Sequence, residues 1–413
     1  MHRRETMAKR KSLSTALASK SCMTTVAKPS AQNEEVEKLK SQLAAKNEEI
    51  AKLNKTIHKM VDCFREQLNE RESKIRELNN TVVDLKGQIR VAVRVRDTVD
   101  PQGLAAIGKN DIKLEQNGQC INYQFEHVFK SGFCQKMVFE EIQELILCTL
   151  HGCNVCLIAY GPTGSGKTYT MRGGDSLELE GVIPRSVRYL LENASGTMAV
   201  AGWQFRFSAS FMEVYNEEVF DLLDGRKKCE VKLNGIDGSP LTTITGIKKL
   251  PITSIDDINL IISHADTHRS TASTACNSLS SRSHAIFQIH VEGINSTTGE
   301  NIKCCLNLVD LAGSERAKES GAQGERFNEL KNINQSLSTL KKCIRAQKMQ
   351  MSHVPYRESK LTILLRAYLG AGSSKTMFIA HLSPKDINET KRTLDFTADL
   401  RSTNVGRAVV QRG

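Results

Sequence analysis

The sequence predicts an α/β fold of the P-loop NTPase kind: a central sheet flanked by helices and preceded by a coiled-coil helix. Three observations carry this. "GPTGSGKT" (Gly161 to Thr168) fits GxxxxGK[ST] in full and follows "NVCLIAY", which reads as a buried strand. Roughly Gln88 to Val405 alternates strand and helix patterns, enough for one large α/β domain. Before it, Asn33 to Lys86 holds no Pro or Gly and repeats its apolar residues at helical spacing.

That helix is justified residue by residue. Val36, Leu39, Leu43, Ile50, Leu53, Ile57, Met60 and Phe64 alternate steps of three and four, with Lys46 as one polar lapse. A second phase runs through Leu68, Ile75, Leu78, Val82 and Leu85, and the step from Phe64 to Leu68 breaks the heptad as a stutter does. So narrow a stripe suits a partner helix better than a domain core. At ~1.5 Å per residue the rod is on the order of 80 Å long. The alternative is a helix folded back on the globular part. Gly87 ends the pattern, and "QIRVAVRVR" follows at once with the β-branched alternation of a strand. The expected divisions are a basic tail (1–32), a coiled-coil stalk (33–86), the α/β domain (87–405) and a short C-terminal tail (406–413).

Composition narrows the partners. The net charge is +11 and the pI about 9.0, which suits an acidic partner. Met1 to Ser30 holds seven Lys/Arg against one Glu and lacks apolar periodicity, so disorder is expected there. Within it "AKRKS" (Ala8 to Ser12) reads as a nuclear import signal or a clamp on a polyanion. No zinc-finger, RNP-like or helix-turn-helix signature accompanies the charge, and aromatics make up 5%, so nucleic acid is not the expected partner. No apolar run reaches membrane-spanning length, and no secretory signal is visible, so no membrane is expected and the twelve cysteines should be reduced. "CNVC" (Cys153 to Cys156) lies in an apolar run without a second metal-spaced pair and reads as strand thiols.

The P-loop sets the chemistry. Gly161, Gly164 and Gly166 let backbone N–H groups close on phosphate oxygens, and Lys167 reaches the β and γ phosphates. Thr168 ligates Mg²⁺. "LNLVDLAGSER" (Leu306 to Arg316) reads as a buried strand ending in Asp310, a carboxylate placed to hold magnesium through water. Gly313 then offers its N–H to the γ-phosphate.

With "NSLSSRSH" (Asn277 to His284), "NINQSLSTL" and "HVPYRESKLT" added in this order, Gln88 to Val405 resembles a kinesin motor domain. The preceding rod, joined by "DLKGQIRVAVRVR", resembles the C-terminal-motor, minus-end-directed class. The resemblance implies ATP and Mg²⁺ as cofactors and a nucleotide site built from Arg96, Gly161, Pro162, Thr163, Gly164, Ser165, Gly166, Lys167, Thr168 and Tyr169. It implies that Ser280 and Ser281 lie in switch I, that Ser281 joins Thr168 and Asp310 at the metal, and that Gly313 senses the γ-phosphate. Arg282 is expected to pair with Glu315 when the site closes, with Glu315 relaying the proton. The implied partner is the microtubule, contacted by Lys331, Tyr356, Arg357 and Lys360, with a second chain in the coiled coil. The implied location is the cytoplasm and the microtubule cytoskeleton, including the spindle, with the nucleus left open by the basic tail.

Two residues depart from the family's pattern. Asp97 stands where the first strand commonly ends in Arg-Pro, beside an Arg96 expected to pack on the base opposite Tyr169. Pro162 replaces a Gln and removes one loop N–H. The implied activity is an ATP-driven motor that moves or slides microtubules. The rivals are a non-motile microtubule tether and a P-loop enzyme acting on a small substrate.

Overall fold

The structure, a computed structural model, describes residues 31–85, 89–97, 103–106, 108–234, 241–271, 281–315, 325–369 and 374–401. Residues 1–30 of the basic tail, Gly87, Ser280 and residues 402–413 lie outside the described residues.

The long helix α1 spans Ala31–Leu85, as its uninterrupted periodicity predicts. Two compact units meet along it, the second running from Phe64. In the first unit the seam residues Val36, Leu39, Leu43, Ile50, Leu53, Ile57 and Met60 are all exposed, the condition of a helix whose stripe needs a partner. The compact units divide between Cys63 and Phe64, just ahead of the stutter, so the last turns of the helix belong to the second unit. A second, polar stripe ties them to it. Asn69, Glu72, Arg76 and Asn80 follow one another by three, four and four, hence on one face. Asn69 Oδ1 accepts from Asn295 Nδ2 at 3.1 Å, and Glu72 approaches His151 Nε2 at 3.5 Å. Arg76 donates to Glu300 (3.2 Å) and lies over the Trp203 ring. Asn80 Oδ1 accepts from Lys375 Nζ at 2.9 Å. Leu68 packs against the core, whereas Ile75, Leu78 and Val82 remain exposed. The final turns of α1 therefore dock through hydrogen bonds and keep an apolar seam outside.

The second unit is built on an eleven-stranded mixed sheet. Its middle is β1 (Ile89–Val95), β14 (Ser374–Leu382), β6 (Asn154–Tyr160) and β13 (Asn301–Asp310), neighbours in the order β13-β6-β14-β1 and all parallel. Beyond β13 lie β12 (His284–Asn295) and β7 (Trp203–Tyr215), each antiparallel to its neighbour. β14 is buried along its whole length, as a central parallel strand covered on both faces must be.

Alternation on β6 divides the core. Val155, Leu157 and Ala159 face a cluster shared with α2 (Gln135–Leu147), α4 (Val182–Ser195) and α6 (Ile255–Thr271). Cys156, Ile158 and Tyr160 face the other cluster, with α7 (Glu325–Lys348), α8 (Lys360–Leu365) and α9 (Ile387–Arg401). Cys153 and Cys156 accordingly belong to opposite layers, and neither forms a disulfide. On α7 the predicted stripe Leu330, Ile333, Leu337, Leu340 and Ile344 is buried throughout. A short hairpin joins β7 to β8 (Glu218–Asp221) through Asn216 and Glu217 alone, both at positive φ, as a type I′ turn requires.

Candidate functional site: a nucleotide cavity wired to a surface helix

The P-loop leaves the carboxyl end of β6 and leads into the five-residue helix α3 (Lys167–Met171). Gly161 has to be glycine: an added Cβ would sit 2.3 Å from the His381 carbonyl oxygen on β14. Lys167 is buried and donates to the carbonyls of Gly161 (3.0 Å) and Pro162 (2.9 Å). Burial pushes its pKa down, while Asp310 and Glu315 pull it up. The Pro162 carbonyl also accepts from Ser165 Oγ at 2.7 Å, so the proline contributes an acceptor where its missing N–H contributes none.

The sheet brings the second motif to the first. Register places Ala159 opposite Asp310, Leu311 N–H donates to the Ala159 carbonyl, and Ser314 N–H donates to that of Gly161. Thr168 Oγ1 donates to Asp310 Oδ2 at 2.6 Å, while Asp310 Oδ1 is buried without a hydrogen-bond partner. Gly313 N–H donates to the Ser281 carbonyl at 3.0 Å, which ties the stretch before β12 to the stretch after β13. Glu315 accepts from the Thr163 N–H (2.8 Å) and hydroxyl. A Cβ on Gly313 would lie 2.2 Å from Thr163 Oγ1 and 2.3 Å from Glu315 Oε2, so a larger residue there would push this pair of side chains apart.

A cavity of about 750 Å³ opens over this loop, lined among others by Arg94, Arg96, Lys130, Phe133, Thr168, Tyr169 and Ser281. Arg96 and Tyr169, expected to flank a base, have other partners here. Arg96 donates to the Gly164 carbonyl, and Arg94 lies over the Tyr169 ring at 5.4 Å. Asp97 accepts from Gly132 N–H at 2.8 Å and from Ser131, so the departure from Arg-Pro pins β1 to the loop before α2. Arg94 also donates to Thr170 Oγ1 at 2.8 Å, and that hydroxyl meets His381 Nε2 at 2.7 Å. Sequence reasoning passed over Arg94, which alternation places on the same strand face as Arg96.

The expected pair of Arg282 with Glu315 is not formed here. Arg282 Nη1 donates to Glu329 Oε2 on α7 at 2.7 Å, and Glu329 also accepts from the Tyr215 hydroxyl. Glu329 carried no signal in the sequence, because a lone acid on a helix surface looks like any solvated charge. His284 is a second connection missed. Its Nδ1 accepts from Ala312 N–H at 3.0 Å, which leaves Nε2–H to donate to Ser336 Oγ on α7 at 2.9 Å.

Burial pushes the pKa of His284 down to about 3, assisted by Lys167 and Arg269, and that of His381 down to about 3, assisted by Arg94 and Lys167. Both stay neutral in the folded chain. Once unfolded they take up protons below about pH 6.5, so their contribution to stability is complete above that pH and declines towards pH 3. Each lowers stability by about 1.4 kcal/mol per pH unit between its unfolded and folded pKa values. Thermal melts between pH 7.5 and 5.5 are expected to show a falling midpoint; a midpoint that rises on acidification contradicts the assignment.

The model of the kinesin motor domain family matches residues 67–403. The chain belongs to that family. Over 91% of its length it is 36% identical to the kinesin-like protein KIN-14N of Oryza sativa subsp. japonica, and over 84% it is 36% identical to carboxy-terminal kinesin 2 of Xenopus laevis. Those alignments take in 53% and 58% of the two relatives, so the chain spans about half the length of the curated kinesins it matches. Among solved structures it resembles the C-terminal motor and motor homology domain of Kar3Vik1 fused to a synthetic heterodimeric coiled coil. The TM-score is 0.74 at 33% identity, covering 90% of this chain and 99% of that one. Kinesin motor domains bind nucleotide.

The residues expected to face the track divide in the kinesin fold. Lys331 on α7 and Arg357 are exposed, and Lys360 at the start of α8 is half-buried. Tyr356 lies apart from them. It is 6% exposed, accepts a hydrogen bond from Gln347 Nε2 at 2.7 Å and packs in the core beneath the loop, so it positions that loop from within and offers no surface. The β7–β8 turn clamps the same region. Glu217 accepts from the backbone N–H of Lys360 (2.6 Å) and from Ser359 Oγ (2.9 Å), and Asn216 accepts from Asn332 on α7 at 3.1 Å.

Proposed function

We propose that this kinesin is an ATP-driven microtubule motor, minus-end directed, that moves or slides microtubules. The observation that carries the reading is the short chain of bonds from the cavity-lining Ser281 to α7. The residues just after it reach that helix: Arg282 bonds to Glu329, and His284, which accepts from Ala312 N–H, bonds to Ser336, on the helix that exposes Lys331. A change in the cavity can therefore be passed to a surface element through these two side chains. Basic residues there suit the acidic surface of tubulin, and such an attachment weakens with salt.

The mechanism follows from exchange of partners. Backbone N–H groups of the P-loop and the Lys167 ammonium neutralise the β and γ phosphates. Thr168, Ser281 and Asp310 form a set of hard oxygen donors that fits Mg²⁺, and the unpartnered buried Asp310 Oδ1 supports that fit. The ion would supply charge neutralisation between the phosphates. Gly313 N–H, now held by the Ser281 carbonyl, turns to the γ-phosphate. Arg282 leaves Glu329 for Glu315, and Glu315, freed from Thr163, accepts the proton of the attacking water through the closed pair. A water-shielded Arg–carboxylate pair is strong only when formed, so it reports closure.

Minus-end direction rests on the C-terminal-motor relatives and on the docked end of α1, which makes that helix the lever. Its exposed seam supports a coiled-coil dimer, with an identical chain or a different one as partner. Cytoskeletal location, including the spindle, follows from the same reading. The test is microtubule gliding on surfaces carrying the protein by its N-terminal end, with polarity-marked filaments and ATP. Filaments are expected to move plus end leading. Minus ends leading reverses the direction; filaments that bind without moving favour a tether.

A further inference from the structure

We infer that Gln135 is a positioning residue for the base of the nucleotide: it fixes Tyr169 and Arg94 as one wall of the cavity. The inference rests on the reading of that cavity as the nucleotide site. Phosphates seated on Gly164, Lys167 and Thr168 leave the nucleoside towards Arg94, Phe133 and Tyr169, which line the same cavity. Tyr169 offers a ring on which a base can stack, since it is 43% exposed. Gln135, the first residue of α2, is buried and acts on the base only through that wall.

The bonds orient the amide without ambiguity. Gln135 Oε1 accepts from Arg94 Nη1 at 2.8 Å. Its Nε2 donates to the Tyr169 carbonyl at 2.6 Å and reaches that of Leu179 at 3.4 Å. A guanidinium only donates and a carbonyl only accepts, so the reverse orientation would lose these bonds. The need for such a donor is local. α3 has five residues, and the last four carbonyls of a helix lack donors from within it. Thr168 finds a donor in the Arg172 N–H, and Tyr169 finds one in Gln135.

Arg94 is held from its other side as well. Its Nη1 donates to Thr170 Oγ1 at 2.8 Å, and that hydroxyl donates to His381 Nε2 at 2.7 Å. His381 Nδ1 faces the Ile379 carbonyl at 2.9 Å and therefore carries the proton of the neutral ring. One amide thus joins β1 through Arg94, α3 through Tyr169 and the loop before α4 through Leu179. Arg94 lies over the Tyr169 ring at 5.4 Å, so cation and ring are tied by their own contact and by the side chain they share. Groups held in place beforehand lose little freedom when a ligand binds, and positioning gains affinity by that route.

The test is a double-variant cycle on the full chain, read as equilibrium binding of a fluorescent ATP analogue with Mg²⁺. Gln135→Met keeps the length of the side chain and removes both bonds. It is expected to weaken binding roughly tenfold, about 1.4 kcal/mol, within the worth of one stacked base. Tyr169→Ala is expected to weaken it at least as much. The double variant should then stay within about twofold of Tyr169→Ala alone, because Gln135 acts through the ring. A purely structural role would add the two losses. Gln135→Glu keeps the acceptor for Arg94 and removes the donor for Tyr169; it takes the place of Gln135→Met if that variant does not fold, with the same outcome expected. Unchanged affinity in the Gln135 variant, or additive losses, overturns this inference alone. A wild type that does not bind the analogue overturns the nucleotide reading and this inference with it.

Discussion

Glu315→Ala is expected to hold microtubules in the presence of nucleotide while losing nearly all stimulated hydrolysis, by roughly 10²- to 10⁴-fold in kcat, the usual worth of a positioned proton acceptor. The carboxylate accepts from both the backbone and the hydroxyl of Thr163 and sits against Gly313, so it already stands over the loop that receives the phosphates. Removing it leaves the P-loop, Lys167 and the Thr168–Asp310 bond intact. Binding and chemistry should therefore separate. Co-sedimentation and steady-state turnover with and without microtubules measure the two. Wild-type turnover in this variant would remove Glu315 from the mechanism, whereas loss of nucleotide binding would give it a structural role in the loop.

The second large effect concerns the competing partner. Glu329→Gln should raise turnover in the absence of microtubules roughly 5- to 10-fold, the effect of about 1–1.4 kcal/mol, and so reduce the degree of stimulation. Glu329 holds Arg282 away from Glu315 in this arrangement, and both members of the pair are largely buried. The tyrosine beside them records the same environment: burial, then the hydrogen bond to Glu329, pushes the Tyr215 pKa up to about 12. Glutamine keeps an acceptor for that hydroxyl and a good helix former on α7 but removes the charge that retains the guanidinium. Arg282→Ala in the same background should abolish the gain, because the latch then has no cation. A fall in turnover for Glu329→Gln alone would mean that the Glu329 pair supports the active state.

These two predictions rest on residues of unequal visibility. Arg282 and Glu315 lie in contiguous motifs, "NSLSSRSH" and "LVDLAGSER", whose chemistry is local to the loop that carries them. Glu329 lies on a helix whose apolar stripe was readable and whose polar face was not, because a charge gains meaning only from what it meets. His284 shows the same limit. It closes a quoted motif, yet its bridge from Ala312 to Ser336 joins segments 28 and 52 residues away.

The sequence by itself determined the elements whose cause is local. The glycine-rich loop has the composition its backbone turns and close approach require. The apolar run of β6 marked it as a buried strand, and the stripe on α7 assigned its buried side. The apolar repeat of α1 foretold one long helix and an exposed seam. Only the tertiary structure decided that the last turns of α1 join the second compact unit, through Asn69, Glu72, Arg76 and Asn80. Polar residues on a helix look alike whether they meet water or Asn295, His151, Glu300 and Lys375. It also decided that Tyr356 faces the core and that Arg282 rests on Glu329. Apolar periodicity records burial along one segment. Hydrogen bonds and ion pairs between distant segments leave no such period, and in this chain they are the contacts that couple the nucleotide cavity to the surface.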